Sequence, residues 1–192
     1  MSLDEIRDIL QSKYPEMDVV AIRHDDLVFE ERVRLKCMHC TNYREKWTCP
    51  GRLPDLDFQK IIREYEHLAV IISRQKSDVR DQKSEIRDQK SEIRDQMSEV
   101  RFREAANGLH RAMLYLEGEL FKRGNAMAEA FIGCGCQLCK DGCPKEGCAH
   151  PEQARVPWDA TGCNVVKTLA NIGISVEFPP KEYVYQYGLL AW

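Results

Sequence analysis

The sequence contains no long hydrophobic segment. No uninterrupted apolar run is longer than residues 68–72, whereas a helix that spans a membrane needs roughly 18–20 apolar residues. The first residues, where Asp4, Glu5 and Asp8 interrupt the apolar ones, also lack the basic start and apolar block of a secretory signal. We therefore expect no membrane insertion and a cytoplasmic location.

Three other features are missing. The chain has 28 Lys and Arg residues against 31 Asp and Glu and a net charge of −3, so it lacks the basic excess usual in nucleic-acid-binding proteins. It has no glycine-rich nucleotide-binding loop, and no serine and histidine constellation that suggests hydrolysis. We expect no nucleic-acid partner. Whether the chain is an enzyme stays open, and an electron carrier or accessory protein is favoured.

Cysteine, in contrast, is abundant. The sequence has nine cysteines, an odd number that disfavours a closed disulfide framework, and eight of them fall in two short clusters. Thiols stay reduced in the cytoplasm, and clustered cysteines there usually bind a metal or a redox cofactor. Buried thiols acting only as small apolar residues would be scattered along the chain.

The first cluster consists of Cys37, Cys40 and Cys49, and Pro50 follows directly. Two thiolates separated by two residues can hold one metal centre from a tight turn, and the third returns after a loop. Three cysteines leave a fourth ligand position. A distant cysteine is the favoured candidate for it; His39 could also fill it, or one iron could stay open to water or substrate.

The second cluster is denser and comprises Cys134, Cys136, Cys139, Cys143 and Cys148. Its segment CQLCKDGCP matches the last three cysteines and the proline of the run C-x2-C-x2-C-x3-C-P, which is typical of bacterial ferredoxins. The match is incomplete, because Cys134 is one residue too close to Cys136. It favours iron–sulfur clusters, one or two of the [4Fe–4S] type. Zinc is the alternative, since four-cysteine zinc sites use the same two-residue spacings.

Apolar periodicity predicts helices that alternate with short strands. We expect a single compact domain of α/β or α+β class with two cysteine-rich metal-binding loops. Asp55 is the expected N-cap of a helix that contains Ile61 and Ile62. The other expected elements are helices at residues 3–12, 104–123 and 165–172, and strands at residues 19–22, 27–35, 68–72, 174–178 and 183–190; residues 130–132 are a short apolar stretch before the second cluster.

Residues 76–103 contain four consecutive heptads: KSDVRDQ, KSEIRDQ, KSEIRDQ and MSEVRFR. As a helix they form a basic and an acidic stripe, with one apolar residue per heptad where a coiled coil uses two. We interpret them as an inserted helical extension or a partly disordered insertion, within one metal-binding domain formed by residues 1–75 and 104–192. Self-association, or binding of a partner through opposite charges, is a further possibility for this segment.

The arrangement of these motifs resembles a prokaryotic family of predicted metal-binding proteins of unknown function. The resemblance rests on Cys37-x2-Cys40-x2-Tyr43, on Cys49-Pro50, on CQLCKDGCP and on CAHPEQARVP followed by Gly162. Members are small cysteine-rich proteins common in anaerobes. The resemblance implies binding of a metal or an iron–sulfur cluster through Cys37, Cys40, Cys49, Cys136, Cys139, Cys143 and Cys148. Cys134 is our candidate for an eighth ligand.

The leading hypothesis is therefore an iron–sulfur redox accessory protein that passes electrons to or from a larger oxidoreductase. Basic residues around the first cluster, such as Arg34, Lys36 and Arg52, are either a solvated face or a docking surface for an acidic redox partner. Two alternatives are a zinc-stapled interaction module and an enzyme or activating factor with an open iron site.

Overall fold

The structure, a computed structural model, describes residues 1–76, 89–177 and 183–192. These residues form five α-helices and four strands. The helices are α1 (Leu3–Lys13), α2 (Glu31–Cys37), α3 (Phe58–Arg63), α4 (Gln89–Lys122) and α5 (Val165–Asn171); the strands are β1 (Met17–Ala21), β2 (Leu68–Lys76), β3 (Glu129–Phe131) and β4 (Tyr183–Ala191).

The four strands form one antiparallel sheet in the order β1-β2-β4-β3. β2 is central: Ile71 pairs with Val19 of β1 and with Gly188 of β4. β3 pairs with the end of β4, where Ala130 lies opposite Leu190. The class is therefore α+β, which confirms the second of the two predicted classes.

One face of the sheet packs against α1 and α4. Alternate strand residues such as Val19, Ile71 and Leu190 are buried there with apolar residues of the two helices. The helical members of this core are Ile6, Leu10, Leu109, Ala112, Met113, Leu116 and Leu120. Ser2 and Glu5 form a capping box that begins α1. This face has no cysteine in its core.

The opposite face of the sheet supports the segments that carry the cysteines. Val70, Phe131 and Leu189 pack there against Ile62 of α3 and Leu169 of α5. Trp158, which is fully buried, belongs to the same core, together with Cys163. No helix in the described part of the chain is long and apolar enough to cross a membrane.

The strand predicted for residues 27–35 is wrong. Only Phe29 makes an isolated bridge, to Cys163, and the chain then forms α2, which ends at Cys37. Glu31 in the first turn and Arg34 and Lys36 in the last turn suit the helix dipole. A short alternation of apolar residues was misread as a strand, and the first cluster follows a helix end.

Two smaller predictions also need correction. The N-cap of α3 is Asp57, whose carboxylate accepts a hydrogen bond from Lys60 N at 3.0 Å, and not Asp55. Residues 174–177 have no regular secondary structure, and Phe178 lies outside the described residues. Ile174 and Val176 pack against the core on the cysteine-bearing face of the sheet, but in the described chain they pair with no strand. Their apolar character therefore reflects packing alone.

The heptad segment is described in part. Residues 77–88 lie outside the described residues, and 89–103 form the beginning of α4. The other predicted elements are present, with ends shifted by a few residues. The division into a domain and an insertion stays a prediction.

Candidate metal centre

The first three cysteines line a single cavity. Cys37 is the last residue of α2, and two successive turns, Cys40 N to Cys37 O and Tyr43 N to Cys40 O, each 3.0 Å, carry the chain past Cys40. Cys37, Cys40 and Cys49 border a cavity of about 150 Å³. Cys49 is buried and Cys40 is exposed, so the cavity reaches from the interior to the surface.

The loop that returns Cys49 to this cavity closes through an unusual backbone conformation. Arg44 has a φ of 61°, and its N–H donates to Pro50 O at 3.2 Å. Gly51 has a φ of 93°, and a Cβ there would lie 2.5 Å from Arg44 Cγ. Both features bring the two ends of the loop together. Glycine is therefore needed at position 51.

A second group of cysteines forms in the loop after β3. Cys136, Cys139 and Cys143 line a separate cavity of about 360 Å³. Cys148 follows Cys143 in the same loop, and the charges of these two residues contribute to the raised pKa of Cys136 and of Cys139. Cys136 is buried and the other three are half-buried. The structure thus brings together the four cysteines of the second cluster other than Cys134.

Burial favours the protonated form of thiols in both groups, namely Cys37 and Cys49 in the first and Cys136 and Cys139 in the second. Burial raises the pKa of Cys49 to about 12, and it is also the main cause of the raised pKa of Cys37 and of Cys136. A thiol with a raised pKa is a poor nucleophile. Metal binding would displace the proton and release it to solvent, so the arrangement suits coordination better than thiol chemistry.

The two groups are neighbours, because their loops pack against each other. Lys46 donates through Nζ to Cys136 O, and Trp47 donates through Nε1 to Pro144 O at 2.8 Å. A Cβ at Gly135 would lie 2.7 Å from Asn42 Nδ2. The charge of Lys46 opposes the rise in pKa of both Cys49 and Cys136. The single positive charge of Lys46 therefore acts on a thiol in each of the two groups.

Comparison with protein families assigns the chain to a predicted metal-binding family. A family model described as predicted metal-binding protein (DUF2284) matches residues 20–191. The chain belongs to this predicted metal-binding family. Neither the curated proteins nor the solved structures include a significant match to the chain.

The two remaining cysteines of this DUF2284 member have different surroundings. Cys163 is completely buried, with Sγ 3.3 Å from Thr168 Oγ1, in the core beneath the sheet. Cys134 is half-buried, and burial raises its pKa to about 11. Among the described residues, the lining of neither cavity includes Cys134. Its role as the eighth ligand stays a prediction.

Polar residues of α4 anchor the loop that carries Cys148. His110 Nε2 lies 2.7 Å from Gln153 O. Glu117 receives two hydrogen bonds from Arg155 Nε, at 2.8 and 2.9 Å, and one from Ala130 N at 2.6 Å. The sequence gives only a weak signal for these anchors: a single polar residue, His110 or Glu117, on each of two otherwise apolar turns of the helix.

The predicted histidine alternative does not reach the first cavity. His39 is exposed, and the cavity is lined by other residues. Within the described ranges, no group of three or more His, Cys, Asp or Glu side chains is arranged to hold one metal ion. By donor chemistry the residues fit an iron–sulfur cluster, because both groups consist of soft thiols. Asn42 N–H also points at Cys40 Sγ from 3.4 Å, as N–H groups do at cluster thiolates.

Proposed function

We propose that this protein holds one or two [4Fe–4S] clusters and passes single electrons to or from a larger oxidoreductase. The observation that carries the proposal is the packing of a three-cysteine group directly against a four-cysteine group. Cys136, Cys139, Cys143 and Cys148 would hold one cluster, and Cys37, Cys40 and Cys49 would supply three ligands to the other. A cluster supplies one-electron redox chemistry when bound.

The unequal cysteine spacings support iron–sulfur over zinc. Structural zinc sites are usually built from matched pairs of closely spaced ligands, whereas here the second group has spacings of two, three and four residues. Both groups also contain a Cys-Pro pair, at Cys49 and at Cys143. The second of these pairs ends the segment that matches the ferredoxin run.

The surroundings of the thiols would tune such clusters. Lys46 places a positive charge between the two groups, and Asn42 N–H contacts Cys40 Sγ at 3.4 Å. Cations and N–H donors near cluster sulfurs stabilise the more negative, reduced state. The potential is therefore expected to be higher than it would be for the same thiolates in an apolar environment.

The cysteine groups lie close enough to the surface for exchange with a partner. Cys40 is exposed, and three cysteines of the second group are half-buried. The exposed cations Lys140 and Lys145 lie in the second cysteine loop, beside exposed Asp141 and Glu146, while Arg52 stacks over the Trp47 ring at 4.4 Å. Complementary charge accelerates protein association, so an acidic redox partner is the expected match.

The first experiment is anaerobic purification followed by measurement of iron, zinc and acid-labile sulfide per chain. Absorbance and electron paramagnetic resonance (EPR) spectra are recorded before and after addition of dithionite. About eight irons and eight sulfides would support two clusters and about four would support one. Zinc without sulfide would contradict the proposal and favour a zinc-stapled module, as would a cluster that cannot be reduced.

A matched pair of variants assigns the ligands. Cys136→Ala is expected to remove the iron of the second group, since it deletes one of four thiolates. Cys163→Ala is the control, because Cys163 is also buried but contacts Thr168 in the core. Equal iron in both variants would contradict the assignment of Cys136 as a ligand.

A further inference from the structure

The three-cysteine cavity is also lined by a carboxylate. Asp159 borders the same space as Cys37, Cys40 and Cys49, and it is the only carboxylate among the residues that the structure describes there. Asp159 is exposed to solvent as a whole residue. Its charge contributes to raising the pKa of both Cys37 and Cys49, behind the larger effect of burial. Asp159 and the three thiols therefore line one common space.

The fold holds Asp159 in a fixed position. The preceding residue, Trp158, is fully buried, and its N–H donates to Ile132 O at 2.8 Å. Asp159 begins a short 3-10 turn (Asp159–Thr161) that ends at Gly162, with a φ of 90°. Gly162 N–H donates to Asp159 O at 3.0 Å. The turn thus holds the backbone of Asp159 next to a buried anchor.

The same turn is attached to the helix that carries the first cysteine. Glu30 N–H donates to Gly162 O at 3.0 Å, and Glu30 immediately precedes α2, which ends at Cys37. Glu30 also receives hydrogen bonds from Asn164 Nδ2 and Lys167 Nζ, both at 2.6 Å. Asp159 and Cys37 therefore belong to elements that are fastened together, although they are far apart in sequence.

A cationic centre is favoured in the cavity once its thiols lose their protons. Three thiolates and one carboxylate around one small space would repel one another strongly if nothing positive lay between them. Burial raises the pKa of the Asp159 carboxyl, and the N–H of Ala160 donates to Pro157 O at 3.0 Å. A carboxylate has about four lone-pair positions, so it keeps acceptor capacity for a metal.

We propose that the carboxylate of Asp159 is the fourth ligand of the cluster held by Cys37, Cys40 and Cys49. This inference rests on the proposed function and names the ligand that the three-cysteine group lacks. In this arrangement, a carboxylate oxygen binds one iron of the cluster at the position where a fourth cysteine would otherwise bind. Oxygen is a harder donor than sulfur, so this iron differs from its three neighbours and is the most readily lost.

The test compares variants purified anaerobically with intact protein, by iron and sulfide content and by EPR. In Asp159→Ala, loss of the labile iron should leave a three-iron cluster, with a signal of about one spin per chain in the oxidised protein that intact protein lacks. Asp159→Cys should restore the fourth iron with an altered spectrum of the reduced cluster. Asp55→Asn, at an exposed carboxylate outside the cavity, is the control and should match intact protein.

Cys134→Ala separates the two candidate ligands. If Asp159 is the ligand, Cys134→Ala keeps the spectrum of intact protein. A three-iron signal in Cys134→Ala together with an unchanged Asp159→Ala would overturn the inference and leave the proposed function standing. Intact protein without iron and sulfide would overturn the proposed function itself. Circular dichroism of each variant, expected to match intact protein, shows that a lost iron does not reflect unfolding.

Discussion

At the residue scale, surroundings divide chemically identical side chains into different roles. Cys49 and Cys163 are both buried, and burial raises the pKa of both thiols. Cys49 borders a cavity with two further thiols, whereas Cys163 contacts the hydroxyl of Thr168 in a closed core. Only the first environment offers space for a metal.

Replacement of Cys163 by alanine should therefore affect stability alone. The variant loses a buried sulfur and its contact with Thr168. A small cavity in a packed core of this kind costs about 1–2 kcal/mol of unfolding free energy. Urea unfolding measures the stability, and iron per chain should equal that of intact protein. A parallel loss of iron would show that Cys163 takes part in the metal centre.

Glu129, at the start of β3, predicts a pH dependence of stability. Burial, and then the charge of Glu117, raises its pKa from 4.5 to about 7, against the effect of Arg155. The folded protein therefore holds this proton more tightly than the unfolded chain, and stability due to Glu129 falls as pH rises between these values. Glu129→Gln should be more stable than intact protein near pH 8 and equal to it near pH 4.

Urea unfolding of the metal-loaded protein at both pH values tests this prediction. Glu119→Gln is a control of opposite sign, because hydrogen bonds from Lys122 and Arg123 lower the pKa of Glu119. Stability due to Glu119 is present above its usual pKa and is lost as pH falls through the lowered value. A Glu129→Gln variant that is less stable near pH 8 would contradict the sign.

At the element scale, α4 connects the sheet to the second cysteine loop. Its apolar side packs in the core with Leu109 and Leu116. Its polar residues Glu117 and His110 hold residues 153–155, just after Cys148. The position of the loop thus depends on a helix that contributes no cysteine.

Removal of Glu117 should loosen this loop. Glu117→Ala leaves Arg155 and Ala130 N without their acceptor, and breaking a largely buried ion pair costs about 3–5 kcal/mol. Glu119→Ala, on the same helix, breaks pairs with Lys122 and Arg123 that are more exposed and should cost much less. Urea unfolding and the rate of iron release to a chelator measure both effects. Similar losses in the two variants would contradict the anchoring role.

The heptad segment should be dispensable for the metal centre. Deletion of residues 83–96 removes two identical copies of KSEIRDQ and keeps the heptad phase. Among the side chains of α4 that the structure describes, the buried ones begin at Ala105, so iron content and melting temperature should not change. Light scattering of the same variant tests self-association through residues 76–103, which predicts a lower mass after deletion. Loss of iron would contradict the interpretation as an insertion.

At the scale of the whole molecule, the sheet separates the core that it forms with α1 and α4 from the face that carries the cysteine loops. The loops have little regular secondary structure: between α2 and α3, and between β3 and α5, the only helical piece in the described chain is one 3-10 turn. Protein segments of this kind often depend on a bound metal for their order. Folding of this face should therefore be linked to metal binding.

Metal removal should destabilise the protein markedly. We expect an anaerobic chelator to lower the melting temperature by about 10 °C or more, since 1 kcal/mol corresponds to about 2–4 °C for a domain of this size. Hydrogen exchange should increase in the loops at residues 38–57 and 133–157 and change less in β2 and β4. Equal melting temperatures with and without metal would contradict the linkage.

The sequence by itself determined the properties that depend on neighbours along the chain. Apolar periodicity located α1, most of α4, β2 and β4, and the spacing of cysteines identified both clusters. Local patterns gave the wrong element where the signal was short. The strand expected at residues 27–35 is replaced by α2, which begins at Glu31, and the N-cap of α3 is Asp57 where Asp55 was expected.

Only the tertiary structure decided what meets across the fold. Cys37 and Asp159 border one cavity because the turn at Asp159 is fastened to α2, and Lys46 joins the two thiol groups because their loops pack together. The antiparallel order of the strands was equally out of reach. These features depend on packing between segments that are far apart in sequence, and local patterns carry no record of which distant partner a segment will meet.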